Sequence, residues 1–235
     1  MNLLRSKVSF FFITLILFCL GSPLFAFAES TIQCHCFTAR TYNPADRFAA
    51  DDYLLATSFN SLLARSYNVP KRQIVMIKMN EGASQEELLI SLKLSAITRE
   101  DPRKFLGQRQ ENNTWPQIIS GLTQGERIKN DAILEAIRTG TPAEEAGAKI
   151  ADEIIGAFFG IAPDEIRKLR AFGLNEKEIT LIYILVHAGG QKTEALVEKH
   201  ERQGMSWGEI ANGLGLEPAA AGELILAYPT GQISE

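Results

Sequence analysis

This sequence predicts an all-α protein made of two tandem, duplicated helical modules, placed after a signal peptide and a short irregular N-terminal segment. Three observations predict it: a string of residues recurs, apolar positions fall at spacings of three and four, and the first 28 residues carry an export pattern. The recurring string is Thr114-Trp115-Pro116-Gln117-Ile118-Ile119-Ser120-Gly121-Leu122. It returns 92 residues later as Ser206-Trp207-Gly208-Glu209-Ile210-Ala211-Asn212-Gly213-Leu214, with Trp, Ile, Gly and Leu identical in place.

Taken in order, Arg5 and Lys7 precede a largely apolar run, Val8 to Leu20, and Ala26-Phe27-Ala28 supplies a small-x-small cleavage site. Residues 1–28 therefore read as a signal peptide, with Glu29 opening a periplasmic or secreted mature chain. The run has 13 residues, fewer than the roughly 20 of a membrane-spanning helix. No later segment is apolar for long enough, so no membrane span is expected in the mature chain. Loss of Arg5 and Lys7 leaves 22 basic residues against 28 acidic ones, a net charge of −6. That balance argues against a general binder of nucleic acid or anionic membranes.

Residues 29–47 form the irregular segment, which has no counterpart later in the chain. Module 1 covers 48–122. Leu55, Phe59, Leu62, Leu63 and Ser66 trace one helical face behind Asp51 and Asp52, and Pro70 opens a shorter helix bearing Ile74 and Ile77. Ser84 and Glu87 make a capping box. Leu89 to Leu94 ends in a strand-like alternation, but the counterpart Ile179, Ile182, Val186 keeps helical spacing and decides for helix. A connection, 123–139, leads to module 2 at 140–235. There Thr141-Pro142 reads as a cap followed by proline, and Ile150, Ile154, Ile155 and Phe158 repeat the stripe. Pro163 opens a helix with Ile166 and Leu169, and Asn175 with Glu178 repeats the capping box. Lys78 matches Arg170, and Glu86 matches Glu178. The two capping boxes lie 91 residues apart, so the register slips by one.

Ser206 to Pro218 resembles the first helix and turn of a helix-turn-helix. A reading helix must present donors to base edges and phosphates. The following segment, Glu217 to Leu224, holds no Lys, Arg, Asn or Gln and two acids. A helical corner pinned by Trp207 and Ile210 is expected instead, with no nucleic-acid partner.

Three segments carry a wider likeness: Cys34-His35-Cys36-Phe37, Ala50-Asp51-Asp52-Tyr53-Leu54-Leu55-Ala56-Thr57 and Ser206-Trp207-Gly208-Glu209-Ile210-Ala211. In these the chain resembles a group of uncharacterised exported bacterial proteins. The resemblance implies export and the module boundaries, and it brings no catalytic residue.

Cys34 and Cys36 are the two cysteines of the mature chain, with His35 between them. Two thiolates and an imidazole are ligands for zinc or another soft metal ion, although adjacent residues rarely point at one ion. A disulfide between Cys34 and Cys36 fits equally well; it closes a tight, easily reduced ring. Beyond this segment, His187 reads as a partly exposed histidine beside an apolar stripe. His200, within Glu198-Lys199-His200-Glu201-Arg202, reads as part of a solvated helix face. There is no Gly-x-Ser-x-Gly, no His-Glu-x-x-His and no phosphate-cradling glycine loop. The expectation is a non-enzymatic helical protein of the bacterial envelope, without a cofactor, that binds an unidentified protein or envelope partner. The alternative is a small thiol-redox or metal-binding protein acting through Cys34, His35 and Cys36.

Overall fold

The computed structural model describes residues 37–122 and 125–228, and within them the chain forms thirteen α-helices and no strand. The signal segment 1–28 and the site residues Cys34, His35 and Cys36 lie outside the described residues.

Six of the thirteen helices begin at a side-chain cap that the sequence supplies. After the turns of 37–50, α1 (Asp51–Ser66) opens on two acids, and α2 (Lys71–Glu81) stops at Gly82, whose φ of 60° is the left-handed conformation that glycine adopts freely. The helix α3 (Gln85–Thr98) begins at the Ser84–Glu87 capping box, and α4 (Pro102–Gln110) at Asp101. Thr114 and Gln117 box the start of α5 (Trp115–Ser120). Two short helices, α6 (Gly125–Lys129) and α7 (Ala132–Arg138), occupy the stretch expected as a connection; Ile133, Leu134 and Ile137 of α7 are buried. Next come α8 (Ala143–Phe159), α9 (Pro163–Ala171) and α10 (Glu176–Gly189), the last begun by the Asn175–Glu178 box. At α8 the N-cap is Pro142 and no side chain caps it, so Thr141 does not take the capping role expected of it. Helix α11 (Thr193–Val197) runs into a π turn, Glu198–Arg202, before α12 (Trp207–Gly213), capped by Ser206, and α13 (Pro218–Ala227).

The helices starting at Ala143, Pro163, Glu176, Thr193 and Trp207 follow those starting at Asp51, Lys71, Gln85, Pro102 and Trp115 by 92, 92, 91, 91 and 92 residues. The second half is thus one residue shorter before α10 and one longer before α12. The π turn lies in that lengthened stretch, where its wider winding takes up the extra residue.

Packing crosses between the halves. Helix α3 lies on α8, α10 lies on α1, and α1 touches α8. The third helix of each half therefore covers the first helix of the other. One apolar cluster extends from Leu54 to Ile225, with Phe59, Phe105 and Trp207 fully buried. In α3, Leu88 to Leu92 are buried without a break, because α4 covers one side and α8 another. A helix buried nearly all round loses its amphipathic signature, which is why its sequence partly imitates a strand. No helix of the described residues is long and apolar enough to cross a membrane.

Candidate functional site

Among the described residues no three His, Cys, Asp or Glu side chains gather as a metal-binding group. Two sets of side chains recur instead, one in each half. In the first, the Glu87 carboxylate lies 3.4 Å from Arg109 Nε, and Arg109 sits 5.5 Å over the Trp115 ring while donating to Asn113 O at 2.6 Å. In the second half, Glu178 accepts from Trp207 Nε1 at 3.2 Å. His200 stacks on that ring at 4.1 Å, with Nδ1 2.9 Å from Met205 O. The counterpart of Glu178 is thus Glu87, the capping-box residue. Glu86 packs instead where α8 crosses α3, so closely that a Cβ on Gly147 would lie 2.6 Å from its own. His200 is largely buried against Trp207, not part of a solvated face, because the π turn rolls it under the ring. His187 is exposed on α10, tilted against Tyr228 with ring centres 5.0 Å apart.

The second recurring set differs in charge between the halves. Arg170 of α9 donates to Asp152 at 2.7 Å and to Glu176 at 3.3 Å, two acids for one cation. At the corresponding place Lys78 of α2 donates to Gln85 Oε1 at 2.8 Å and to Asn60 Oδ1 at 3.4 Å, and both are neutral amides. Burial, then the like charge of Lys177, pulls the Lys78 ammonium down to about 8, against the opposing pull of Glu176. Lys71 of the same helix donates to Thr57 Oγ1 at 2.6 Å and is also lowered by burial, with Glu223 opposing.

Lys71 and Lys78 line a cavity of about 400 Å³ between α1, α2 and the start of α10, together with Arg40 and Lys177. Asp52 is its one carboxylate. Phe37, Tyr53, Ala56 and Val75 supply apolar wall. Tyr53 meets Phe37 edge-on at 5.6 Å and carries the Arg40 guanidinium 5.5 Å from its ring centre. Two other cavities have mixed charges. One of about 360 Å³ beside the π turn sets Glu165, Glu194, Glu198 and Glu201 against Lys168 and Arg202, with Tyr183 pushed up to about 12 by burial and the nearby Glu165 and Glu194. The other, of about 460 Å³, pairs Lys149 and Arg167 with Asp152 and Glu153. Of the three, the first has the largest excess of one sign, four cations to one carboxylate, against four acids to two cations in the second and a balance in the third.

Residues 50–57 and 206–211 join beside this cavity. Asp51 of α1 accepts from the backbone amides of Trp207 at 3.1 Å and Gly208 at 2.7 Å, and Ser206 Oγ donates to Arg47 O at 2.6 Å. Burial holds the Asp51 carboxyl above its ordinary range, with those two amides opposing the rise. One helical turn along α1, Tyr53 and Thr57 face the cavity, and Phe37 covers it. Sequence reasoning singled out none of the cavity cations as a site; Lys78 entered it only as a match to Arg170. The available signal was the exchange of Asp152 and Glu176 for Asn60 and Gln85 at matching positions.

No protein-family model, no curated protein and no solved structure matches this chain.

Proposed function

We propose that this chain is an exported, non-catalytic binding protein, formed by duplication of one helical module, which takes its ligand at the cavity beside Phe37 and Tyr53. The observation that carries the reading is the contrast between equivalent cations. Arg170 is matched by two acids, as a structural cation inside a fold should be. Lys78 has amides in the same places and opens on a cavity, an arrangement that costs stability and suits an external anion. Duplication is supported by the helix starts recurring at 91 or 92 residues and by the paired Glu87–Arg109–Trp115 and Glu178–His200–Trp207 sets. After duplication, one copy retained the open cavity and the other balanced its charges.

Two measurements test this. The intact mass of protein released from the envelope by osmotic shock should correspond to a chain beginning at Glu29. A photo-crosslinking residue in place of Tyr53, activated in living cells, should give a defined adduct that the same residue in place of the exposed Phe172 does not. Full-length mass, or equal labelling at both positions, rejects the reading.

A second reading rests on Phe37. It lines the cavity and follows Cys36 directly in sequence, and under this reading the protein acts through Cys34, His35 and Cys36 as thiol-redox or metal-binding groups. Metal analysis and thiol titration of natively purified protein decide it: a metal-free protein with an inert, fully oxidised pair ends that alternative.

A further inference from the structure

We infer that the cavity between α1, α2 and the start of α10 binds a phosphomonoester, a doubly charged tetrahedral head carried on a small apolar or aromatic body. The inference rests on the reading of that cavity as the working site and adds the chemical class of what enters it.

Charge sets the head group. Lys71, Lys78, Lys177 and Arg40 face the space and Asp52 opposes them, four cations to one carboxylate. The chain shows elsewhere how it treats a cation drawn out of water: Arg170 has Asp152 and Glu176, and Lys93 has Asp131 at 2.9 Å and Glu153 at 2.7 Å. Neither Lys71 nor Lys78 has such a bond; their acceptors are a hydroxyl and two amides. Four cations less one carboxylate leave a surplus of three, which a single carboxylate lowers to two and a dianion to one.

Geometry separates phosphate from a dicarboxylate. Ammonium groups act as point donors without a fixed plane, so the three lysines that line the cavity can meet the oxygens of a tetrahedral oxyanion without the coplanar approach that a carboxylate fork favours. The one guanidinium, Arg40, lies over the Tyr53 ring. Beside the polar Thr57 and Asn60, the remaining wall is the rings of Phe37 and Tyr53 with Ala56 and Val75, an apolar surface that inorganic phosphate cannot use. A space of about 400 Å³ takes a small organic phosphate and not a polymer.

Titration supplies an independent check. A phosphomonoester becomes a dianion above its second pKa of about 6. Lys78 loses its proton above about 8. The groups facing these lysines are Lys177 and Glu176 on α10, Asp52 on α1, Arg40 before it and Glu223 on α13. Binding should therefore be strongest between the two values.

The test is calorimetric titration of the mature chain, near neutral pH and at low salt, with phenyl phosphate, inorganic phosphate and phenol as probes. Phenyl phosphate should bind roughly tenfold or more tighter than either other probe, a difference of about 1.4 kcal/mol. Lys78→Gln and Lys71→Gln should each weaken it by about the same factor while the melting temperature holds or rises, and Lys78→Arg should keep most of the affinity. Phenol binding as well as phenyl phosphate, inorganic phosphate binding equally, affinity unchanged in both lysine variants, or no heat from any probe would each overturn the inference. The Tyr53 crosslink separates the two levels. An adduct there with no phenyl phosphate binding sinks the ligand class alone, and loss of both sinks the site.

Discussion

Lys78 keeps its ammonium largely out of water with two amide oxygens as its acceptors, and that one residue links stability to the proposed function. Its pKa in the folded chain, about 8, lies below the ordinary 10.5, so the unfolded chain holds the proton more tightly. Stability is therefore reduced below about pH 8 and is regained as pH rises from there toward 10.5. The full difference is on the order of 3 kcal/mol. Lys78→Met should accordingly raise stability near neutral pH by about 1–2 kcal/mol after its lost hydrogen bonds are counted, with the gain fading near pH 10. Denaturant titrations at the two pH values check this, and a loss of stability at neutral pH would mean the amides hold the lysine better than its burial suggests. The two tryptophans make a second residue-level comparison. Trp207 is fully buried and its Nε1 bonds Glu178, whereas Trp115 Nε1 is buried without a hydrogen-bond partner among the described residues. Trp207→Ala should cost roughly 3–5 kcal/mol. Trp207→Phe should cost about 1 kcal/mol more than Trp115→Phe, because only the first removes a hydrogen bond, the one that Trp207 Nε1 donates to Glu178. Equal losses in chemical denaturation would show that the Glu178 bond contributes nothing.

At the scale of the helix, caps were legible in the sequence and partners were not. Ser84–Glu87 and Asn175–Glu178 form the boxes that their spacing predicts, since a capping box is closed within four residues. The apolar stripe behind Ala143 was readable for the same local reason, and the one behind Asp51 only in part: Phe59, Leu62 and Leu63 are buried, but Ser66 is exposed and Leu54, not Leu55, is in the core. His200 was misjudged because the charged residues around it suggest water, while its real neighbour, Trp207, is brought there by a π turn that no spacing rule reveals. The cavity was out of reach altogether: Arg40, Lys71, Lys78 and Lys177 come from three parts of the chain, and only the fold makes them neighbours. Asp51 belongs to this class. It opens α1, and read alone it is an acid at the positive end of its own helix. In the fold its two oxygens also accept from the first two amides of α12, 156 and 157 residues away. Asp51→Ala should thus fray α12 as well as α1 and cost about 1–2 kcal/mol. Amide hydrogen exchange should show lost protection at the start of α12; an effect confined to α1 would contradict the long-range cap.

For the molecule as a whole the governing feature is the exchange of third helices, α3 onto α8 and α10 onto α1. The third helix of each half packs on the first helix of the other, with α10 packing on α8 of its own half as well, so the core that includes Leu54, Leu89, Ile150 and Leu181 is one cluster and not two. The crossing of α3 and α8 is close because Gly147 has no Cβ, which would otherwise stand 2.9 Å from the Glu86 Cα as well. Gly147→Ala must push two backbones apart and should cost about 1–3 kcal/mol, despite the better helix propensity of alanine. Gly107→Ala in α4, where a Cβ meets nothing within 4 Å, should gain about 0.5–1 kcal/mol instead. The sharper consequence concerns autonomy. A fragment of residues 29–140, cut before α8, retains α1 without α10 and α3 without α8; a fragment of 141–235 retains the complements. Each alone exposes the face that the other half buries, and neither should hold its helices cooperatively, because isolated helices of this length are marginal in water. Mixed in equal amounts, the two should regain the far-ultraviolet circular dichroism of the intact chain and melt in one concentration-dependent transition. A cooperative melt from either fragment alone would show that its half closes its own core, and the exchange of helices would then be an embellishment of two independent domains instead of the source of the fold.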